Sequence, residues 1–299
     1  MRFSLNQIQA IVEISRQGFH VSKAAKKLNT SQSVISKHLK SLEDTLTRKI
    51  FIRTGKRLSG LTPEGEKILH HAERVLQDIG SIEKIGQEAS TLEQETLSLA
   101  TTPTLAHYLL TPTVKKFTLK HPNVHLRMQV EESDKAVEAV RLGQCDFAIA
   151  PIGAEPRGNL ATDILLEWTR LLIGTADCPL FSAENITLEM ISTEPIIAFE
   201  TPTVSLRETF DRNGLSPNYA LTTSNPDVMK TYAANGLGVA IVATPTFDAE
   251  RDRPLVARDV SHLFPNVKIA SVHRIDDYST LARRTFLDYL KSGLTEQNS

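Results

Sequence analysis

Residues Val21–Lys40 read VSKAAKKLNTSQSVISKHLK, two short helical stretches joined by a tight turn. Ala25 is small enough for two crossing helices to approach there. Asn29, four residues on, tolerates the left-handed backbone that a turn needs. Ser31 offers a side-chain oxygen to cap a second helix, whose apolar stripe is Ile35, Leu39 and Leu42. The opposite face carries Gln32, Ser33, Ser36, Lys37 and Lys40, donors of the kind that bond phosphates and base edges. The pattern predicts a helix-turn-helix with its recognition helix second, and hence a double-stranded DNA partner.

Charge follows the same division. Residues 1–60 hold twelve Lys/Arg and three acids, a net +9 on a chain of formal charge −1, so the remainder carries −10. A basic head on an acidic body fits phosphate binding by the head alone. At 299 residues and 40% hydrophobic content the chain is long enough for two or three well-packed domains. No apolar run approaches a membrane span, and the opening MRFSLNQIQAIVEI is amphipathic rather than a signal core; both predict a cytoplasmic protein with no membrane partner. Cys145 and Cys178 stand far apart in no metal-like spacing, as reduced thiols do.

Around the helix-turn-helix the head completes itself. Ser4 with Gln7 predicts a capping box opening a helix on Leu5, Ile8, Ile11, Val12 and Ile14. KIFIRTGKRLSGL, 49–61, predicts a two-stranded wing in which Ile50 and Ile52 alternate with Phe51 and Arg53. Arg53, Lys56 and Arg57 near its tip are candidate phosphate contacts. Thr62-Pro63-Glu64 is a helix start, and the helix it opens is expected to run to about Leu92. Ile68, Ala72, Val75, Ile79 and Ile82 recur in it at the spacing of a coiled-coil seam, which predicts pairing with a second copy.

From Leu97 onward short apolar runs alternate with amphipathic helices, the texture of a parallel α/β sheet. Expected strands are 97–100, 124–130, 146–150, 170–174, 196–199, 238–243 and 267–272. Expected helices are 105–120, 134–142, 205–213, 227–235 and 280–291. Two threonine clusters follow strands and precede helices: Thr101, Thr102 and Thr104, then Thr201 and Thr203. Hydroxyls beside free helix N–H groups bind small anions without a cationic side chain, although the same residues also serve as simple caps. Nothing asks for catalysis: no nucleophile–base pairing stands out, and neither His70/His71 nor His121/His125 has the partners of a metal site. No cofactor and no metal are expected.

The stretch AAKKLNTSQSVISKHLKSLEDTL, continued by LTPEGE, resembles the LysR-type transcriptional regulators, and the resemblance covers essentially the whole chain. Within that family LATTPTLAHYLLTPTVKKF, CDFAIA, TFDRNGL and PDVMKTYAANGLGVAIVA are similar to the CysB/Cbl group, regulators of sulfur assimilation. The resemblance implies an all-α winged helix-turn-helix (1–61) and a long linker helix for dimerisation (62–92). It further implies an α/β, periplasmic-binding-protein-like effector region (93–299) of two Rossmann-like lobes, about 93–164 with 267–292, and about 165–266. It implies a homodimer or homotetramer on promoter DNA, with RNA polymerase as a possible partner. The effector would be a small anion or zwitterion such as sulfate, an acetylated serine or a sulfonate, held by Thr102, Thr104 and Thr201 with Trp168 near the cleft. Two departures stand out. Leu105 and Pro151 occupy positions where the group often has Gln and Thr, which predicts a less polar cleft. A solute-binding protein or an α/β enzyme on the same fold is the competing reading, and the basic head counts against both.

Overall fold

The computed structural model describes residues 3–55, 57–87, 96–153, 158–201, 205–275 and 277–297. The chain forms two compact units, Met1–Ala89 and Ser90–Ser299.

In the first unit α1 (Leu5–Arg16) opens at Ser4, whose backbone N–H donates to Gln7 Oε1 at 2.6 Å, and buries Ile8, Ile11, Val12 and Ile14. α2 (Val21–Lys27) and α3 (Gln32–Leu46) are the expected helix pair. Asn29 takes φ 50° in the turn between them, and Ser31 Oγ accepts from the N–H of Val34 at 3.3 Å. Ile35, Leu39 and Leu42 face the core together with Ala24 and Ala25.

β1 (Phe51–Thr54) and β2 (Arg57–Leu61) pair antiparallel as the wing. The alternation expected there is shifted. Ile50 and Phe51 are both buried and Ile52 is 49% exposed, because Phe51 turns inward against Phe19, ring centroids 6.0 Å apart. Glu43, buried at the base of the wing, accepts from the N–H of Ile50 at 3.0 Å and from Lys49 Nζ at 3.0 Å. A carboxylate here satisfies backbone donors that the turn into β1 would leave orphaned.

α4 spans Pro63–Gln87; the rest of the stretch expected to be helical, to Leu92, lies outside the described residues. Thr62 Oγ1 accepts from Gly65 N–H at 2.9 Å and donates to the Lys49 carbonyl at 2.6 Å, which fixes the helix start against the wing. The expected seam is divided between two environments. Ala72, with Leu69, is buried in the head core, and Ile68 and Leu76 pack on it; further along, Val75 is 44% and Ile82 67% exposed. An apolar stripe emerging from the core in this way favours a partner surface over solvent.

The second unit contains two mixed sheets. The first runs β4–β3–β5–β12–β6, from β3 (Thr96–Thr101), β4 (His125–Val130), β5 (Phe147–Pro151), β6 (Leu160–Trp168) and β12 (Val267–Arg274). The second runs β11–β7–β10–β8–β9, from β7 (Arg170–Thr175), β8 (Ile196–Phe199), β9 (Tyr219–Thr223), β10 (Val239–Ala243) and β11 (Leu255–Asp259). β3, β4 and β5 are parallel, as are β8, β9 and β10, but β12 lies antiparallel to β5 and β6, and β7 antiparallel to β10 and β11. Each sheet therefore holds the expected parallel core of three strands, with antiparallel strands added to it. The strands that carry the chain from one sheet to the other arrive reversed. β6 belongs whole to the first sheet, so the chain crosses at Thr169, a little later than expected, and crosses back between β11 and β12.

The helix expected over 105–120 is two helices, α5 (Pro103–Tyr108) and α6 (Thr111–Lys120). Pro112 accounts for the break: lacking an N–H, it cannot donate to the Tyr108 carbonyl as a continuous helix would require. The remaining helices are α7 (Ser133–Arg141), α8 (Leu188–Ser192), α9 (Arg207–Arg212), α10 (Pro226–Ala234) and α11 (Leu281–Gln297). The first sheet's core centres on Phe117, Phe147 and Phe286, which pack edge to face. Each such ring contributes about 1.5–3 kcal/mol by burial. No described helix is long and apolar enough to cross a membrane.

Candidate functional site

The head presents one polar face. Gln32, Ser33, Ser36, Lys37 and Lys40 on α3 are all exposed, as are Arg53 and Arg57 on the wing. Lys56 lies outside the described residues. Ser31 is occupied as a cap, and its Oγ sits 2.8 Å from Ser33 Oγ, so it positions the helix rather than presenting a free group. Lys37, Lys40, Arg53 and Arg57 have no carboxylate partner among the described residues. Unpaired cations beside amide and hydroxyl groups on a protruding helix are what phosphate and base-edge contacts require.

In the body a cavity of about 330 Å³ opens between the two sheets. Thr102, Thr104, Leu105, Pro151, Trp168 and Thr201 all line it. Thr102 Oγ1 accepts from Leu105 N–H at 3.4 Å and so caps α5 while facing the cavity. Thr104 is half-buried on the wall, with no described partner for its hydroxyl. Leu105 is fully buried and belongs chiefly to the first sheet's core. Trp168 is buried at the end of β6, opposite Val267.

Two expectations fail here. Thr101 is not on the wall: its hydroxyl donates to the Ile149 carbonyl at 2.7 Å and ties β3 to β5. The second threonine cluster does not sit on a helix start, because α9 begins only at Arg207 with Leu206 as its cap. Thr203 lies outside the described residues. The second sheet's helix end at the cavity belongs instead to α10, where Asn225 Oδ1 accepts from Asp227 N–H at 2.8 Å and Ser224 and Pro226 line the wall. Asn225-Pro226-Asp227 repeats the logic of Thr62-Pro63-Glu64, so the signal was present in the sequence.

Neither threonine cluster carries a cation, but the cavity wall beyond them does. Arg170 and Lys135 both line the cavity, with Glu131 and Glu132 beside them. Lys135 pairs with Glu132 at 3.4 Å. Arg170 is buried, and burial pushes its guanidinium down to about 10. An arginine opening the apolar strand RLLIG was the signal for it, since charge is costly inside a sheet.

Beside the cavity the two lobes touch through polar groups. Tyr108 on α5 donates to Asp227 on α10, and Lys230 Nζ donates to Tyr108 Oη at 2.9 Å, to the Thr246 carbonyl at 2.9 Å and to Asp252 at 3.1 Å. Burial works against charge on Lys230 but is outweighed by these bonds, which raise its pKa. Burial likewise opposes charge on Asp227, and the bonds from Tyr108 and Lys230 lower its pKa. Lys230 and Asp227 therefore stay charged across the neutral range, and the cluster ties the cleft walls together. The thiols are inert by contrast: burial raises Cys178 and pushes Cys145 up to about 11, so neither supplies thiolate near neutral pH.

Comparison with known proteins matches these two parts separately. The bacterial regulatory helix-turn-helix of the lysR family matches residues 5–66, and the LysR substrate binding domain matches residues 90–295. The chain is a LysR-type transcriptional regulator. The transcriptional regulator CysB of Burkholderia cenocepacia is 35% identical over 87% of this chain and 84% of its own length. SsuR of the same organism is 33% identical over 87% of this chain and 86% of its own. Among solved structures, a full-length OxyR variant from Pseudomonas aeruginosa superposes with TM-score 0.76 at 21% identity, covering 98% of this chain and 95% of that one. LysR-type regulators bind promoter DNA and small-molecule effectors and self-associate; they are not enzymes. In this regulator the basic face of α3 and the cavity between the sheets are the candidate surfaces for those activities.

Proposed function

We propose that this LysR-type regulator controls sulfur-assimilation genes in response to a small anionic or zwitterionic sulfur-related metabolite held in the interlobe cleft. The single observation that carries the effector reading is the 330 Å³ cavity lined from both lobes by Thr102, Thr104 and Thr201. The similarity to CysB and SsuR supports the pathway. Residues 1–61 would read DNA, 62–92 would join two copies, and 93–299 would bind the effector. The assembly is a dimer or tetramer in the cytoplasm, acting on promoter DNA and, through it, on RNA polymerase. A second reading, a different pathway and effector on the same architecture, is favoured by Leu105 and Pro151, which put apolar groups on the cleft wall.

Thr104→Val and Thr201→Val are each expected to weaken effector binding about tenfold, the worth of one hydrogen bond to a charged group. Thr102→Val should in addition lower body stability by about 1 kcal/mol, because it removes the α5 cap. Titration calorimetry on the full chain checks both, and unchanged binding in all three variants would place the effector elsewhere.

On DNA, Lys37, Lys40, Arg53, Lys56 and Arg57 are the proposed phosphate contacts, and Gln32, Ser33 and Ser36 the base-edge contacts. Lys40→Ala should weaken binding to all sequences alike and reduce the salt slope by about one unit, whereas Gln32→Ala should alter sequence preference. An unchanged affinity and slope for Lys40→Ala would remove α3 from the groove.

A further inference from the structure

Arg170 is 4% exposed and lines the cavity, yet it makes one hydrogen bond among the described residues, from Nε to the Pro265 carbonyl at 3.3 Å. A guanidinium carries five donors, and neither terminal nitrogen has a protein partner among the described residues. The other buried arginines of the body are satisfied. Arg274 reaches Asp277 and the Val140 carbonyl at 2.9 and 2.6 Å, and Arg283 reaches Asp277 at 3.3 Å and Ser279 Oγ at 3.2 Å. Arg258, less buried, still bonds the carbonyls of Phe181, Ala183 and Glu184. Against that pattern an unpaired buried guanidinium is expensive unless a ligand completes it.

We propose that Arg170 is the anion anchor of the cleft, taking the singly charged oxoacid head of an organic acid whose short apolar body lies against Trp168, Phe199 and Met229. The proposal rests on the effector reading of the cleft given above, and it names the ligand class. Charge balance sets the head at one negative charge. Lys135 is already paired with Glu132, and Glu131 stands on the same wall, so an inorganic dianion meets one free cation and a free carboxylate. Carboxylate and sulfonate share the paired oxygens that a guanidinium fork accepts. The anchor also lies at the hinge. The Arg170 carbonyl accepts from Val260 N–H at 3.1 Å, and its Nε holds Pro265, so side chain and backbone both grip the second crossing between lobes. An acid seated there is connected directly to the segments that set lobe closure.

The test is calorimetry and thermal shift on the full chain with straight-chain alkanesulfonates and alkanecarboxylates of one to six carbons. Inorganic sulfate and the matching neutral alcohols are the controls, all at constant ionic strength. The wild type should bind the organic acids more tightly as the chain lengthens, inorganic sulfate at least tenfold more weakly than the best of them, and the alcohols not measurably. R170M should lose more than tenfold in affinity while its ligand-free Tm stays level or rises, since an unpaired buried charge has gone. R170K, which keeps the charge without the fork, should retain part of the affinity. Wild-type affinity in R170M, equal binding of alcohol and acid, or tighter binding of sulfate would each overturn the anchor. Loss of binding in Thr201→Val with none in R170M would overturn Arg170 and leave the cleft reading standing. A wild type that binds none of the anions would overturn both.

Discussion

Gly65→Ala is expected to unfold the head and leave the body intact. A Cβ at Gly65 would lie 2.0 Å from the Ile50 carbonyl oxygen and 2.8 Å from its carbon. Both are backbone atoms of the turn into the wing, and the same carbonyl accepts from Thr62 N–H at 2.9 Å. Neither side can yield without parting α4 from β1, so the cost should reach about 3 kcal/mol or more, the upper end of overpacking. In a unit of this size that lowers the head's melting temperature by upwards of about 10 °C. DNA binding should fall with it, while ligand-induced stabilisation of the body persists. Gly80→Ala is the matched control, because a Cβ there meets nothing within 4 Å. In the same helix it should stabilise by roughly 0.5–1 kcal/mol. Calorimetry that found Gly65→Ala melting with the wild type would refute the close approach of helix and wing.

Asp277→Ala should produce the largest loss in the body. Asp277 is 3% exposed at its side chain and accepts from Arg274 at 2.9 Å and Arg283 at 3.3 Å, both of them buried. Removing it strands two guanidiniums away from water, at a cost of about 3–5 kcal/mol. Arg274 also holds the Val140 and Cys145 carbonyls, so the loss spreads from β12 to the end of α7. Asp277→Asn keeps an acceptor but not the charge, and should fall between the two. Urea denaturation followed in the body would measure this, and a change below 1 kcal/mol in Asp277→Ala would mean that the two arginines find other partners.

The features that could be read from the chain beforehand are those set by near neighbours. Asn29 in the turn, the Ser31 cap and the Thr62-Pro63 start each depend on residues within four positions, so their chemistry is local. The strands that escaped reading, β6, β9 and β11, are all sheet edges. An edge strand is half-solvated and mixes polar with apolar residues, as LATDILLEW does, so it lacks the continuous apolar run that marked β5 and β10. The antiparallel return strands were hidden for a related reason: strand direction is set by which partner the chain meets, not by its own pattern.

The cleft divides in the same way. Thr102 and Thr104 were visible because they start a helix. Arg170 was marked only by its charge at the head of RLLIG; its place on the cavity wall is set by pairing with Ala243 across the sheet and by Pro265, far along the chain. Thr101 and Thr102 are adjacent and chemically alike, yet one bonds a neighbouring strand and the other faces the cavity. Alternation along β3 separates them, and only the end of the strand determines which is which.

The central claim is that α3 and the wing make this regulator a sequence-specific DNA reader. Fluorescence anisotropy with the DNA upstream of its own gene, against a shuffled duplex of equal length and composition, tests it directly. Binding should be at least about a hundredfold tighter to the upstream DNA, with an affinity that falls steeply as salt rises. Equal affinity for the two duplexes, or binding indifferent to salt, would contradict it.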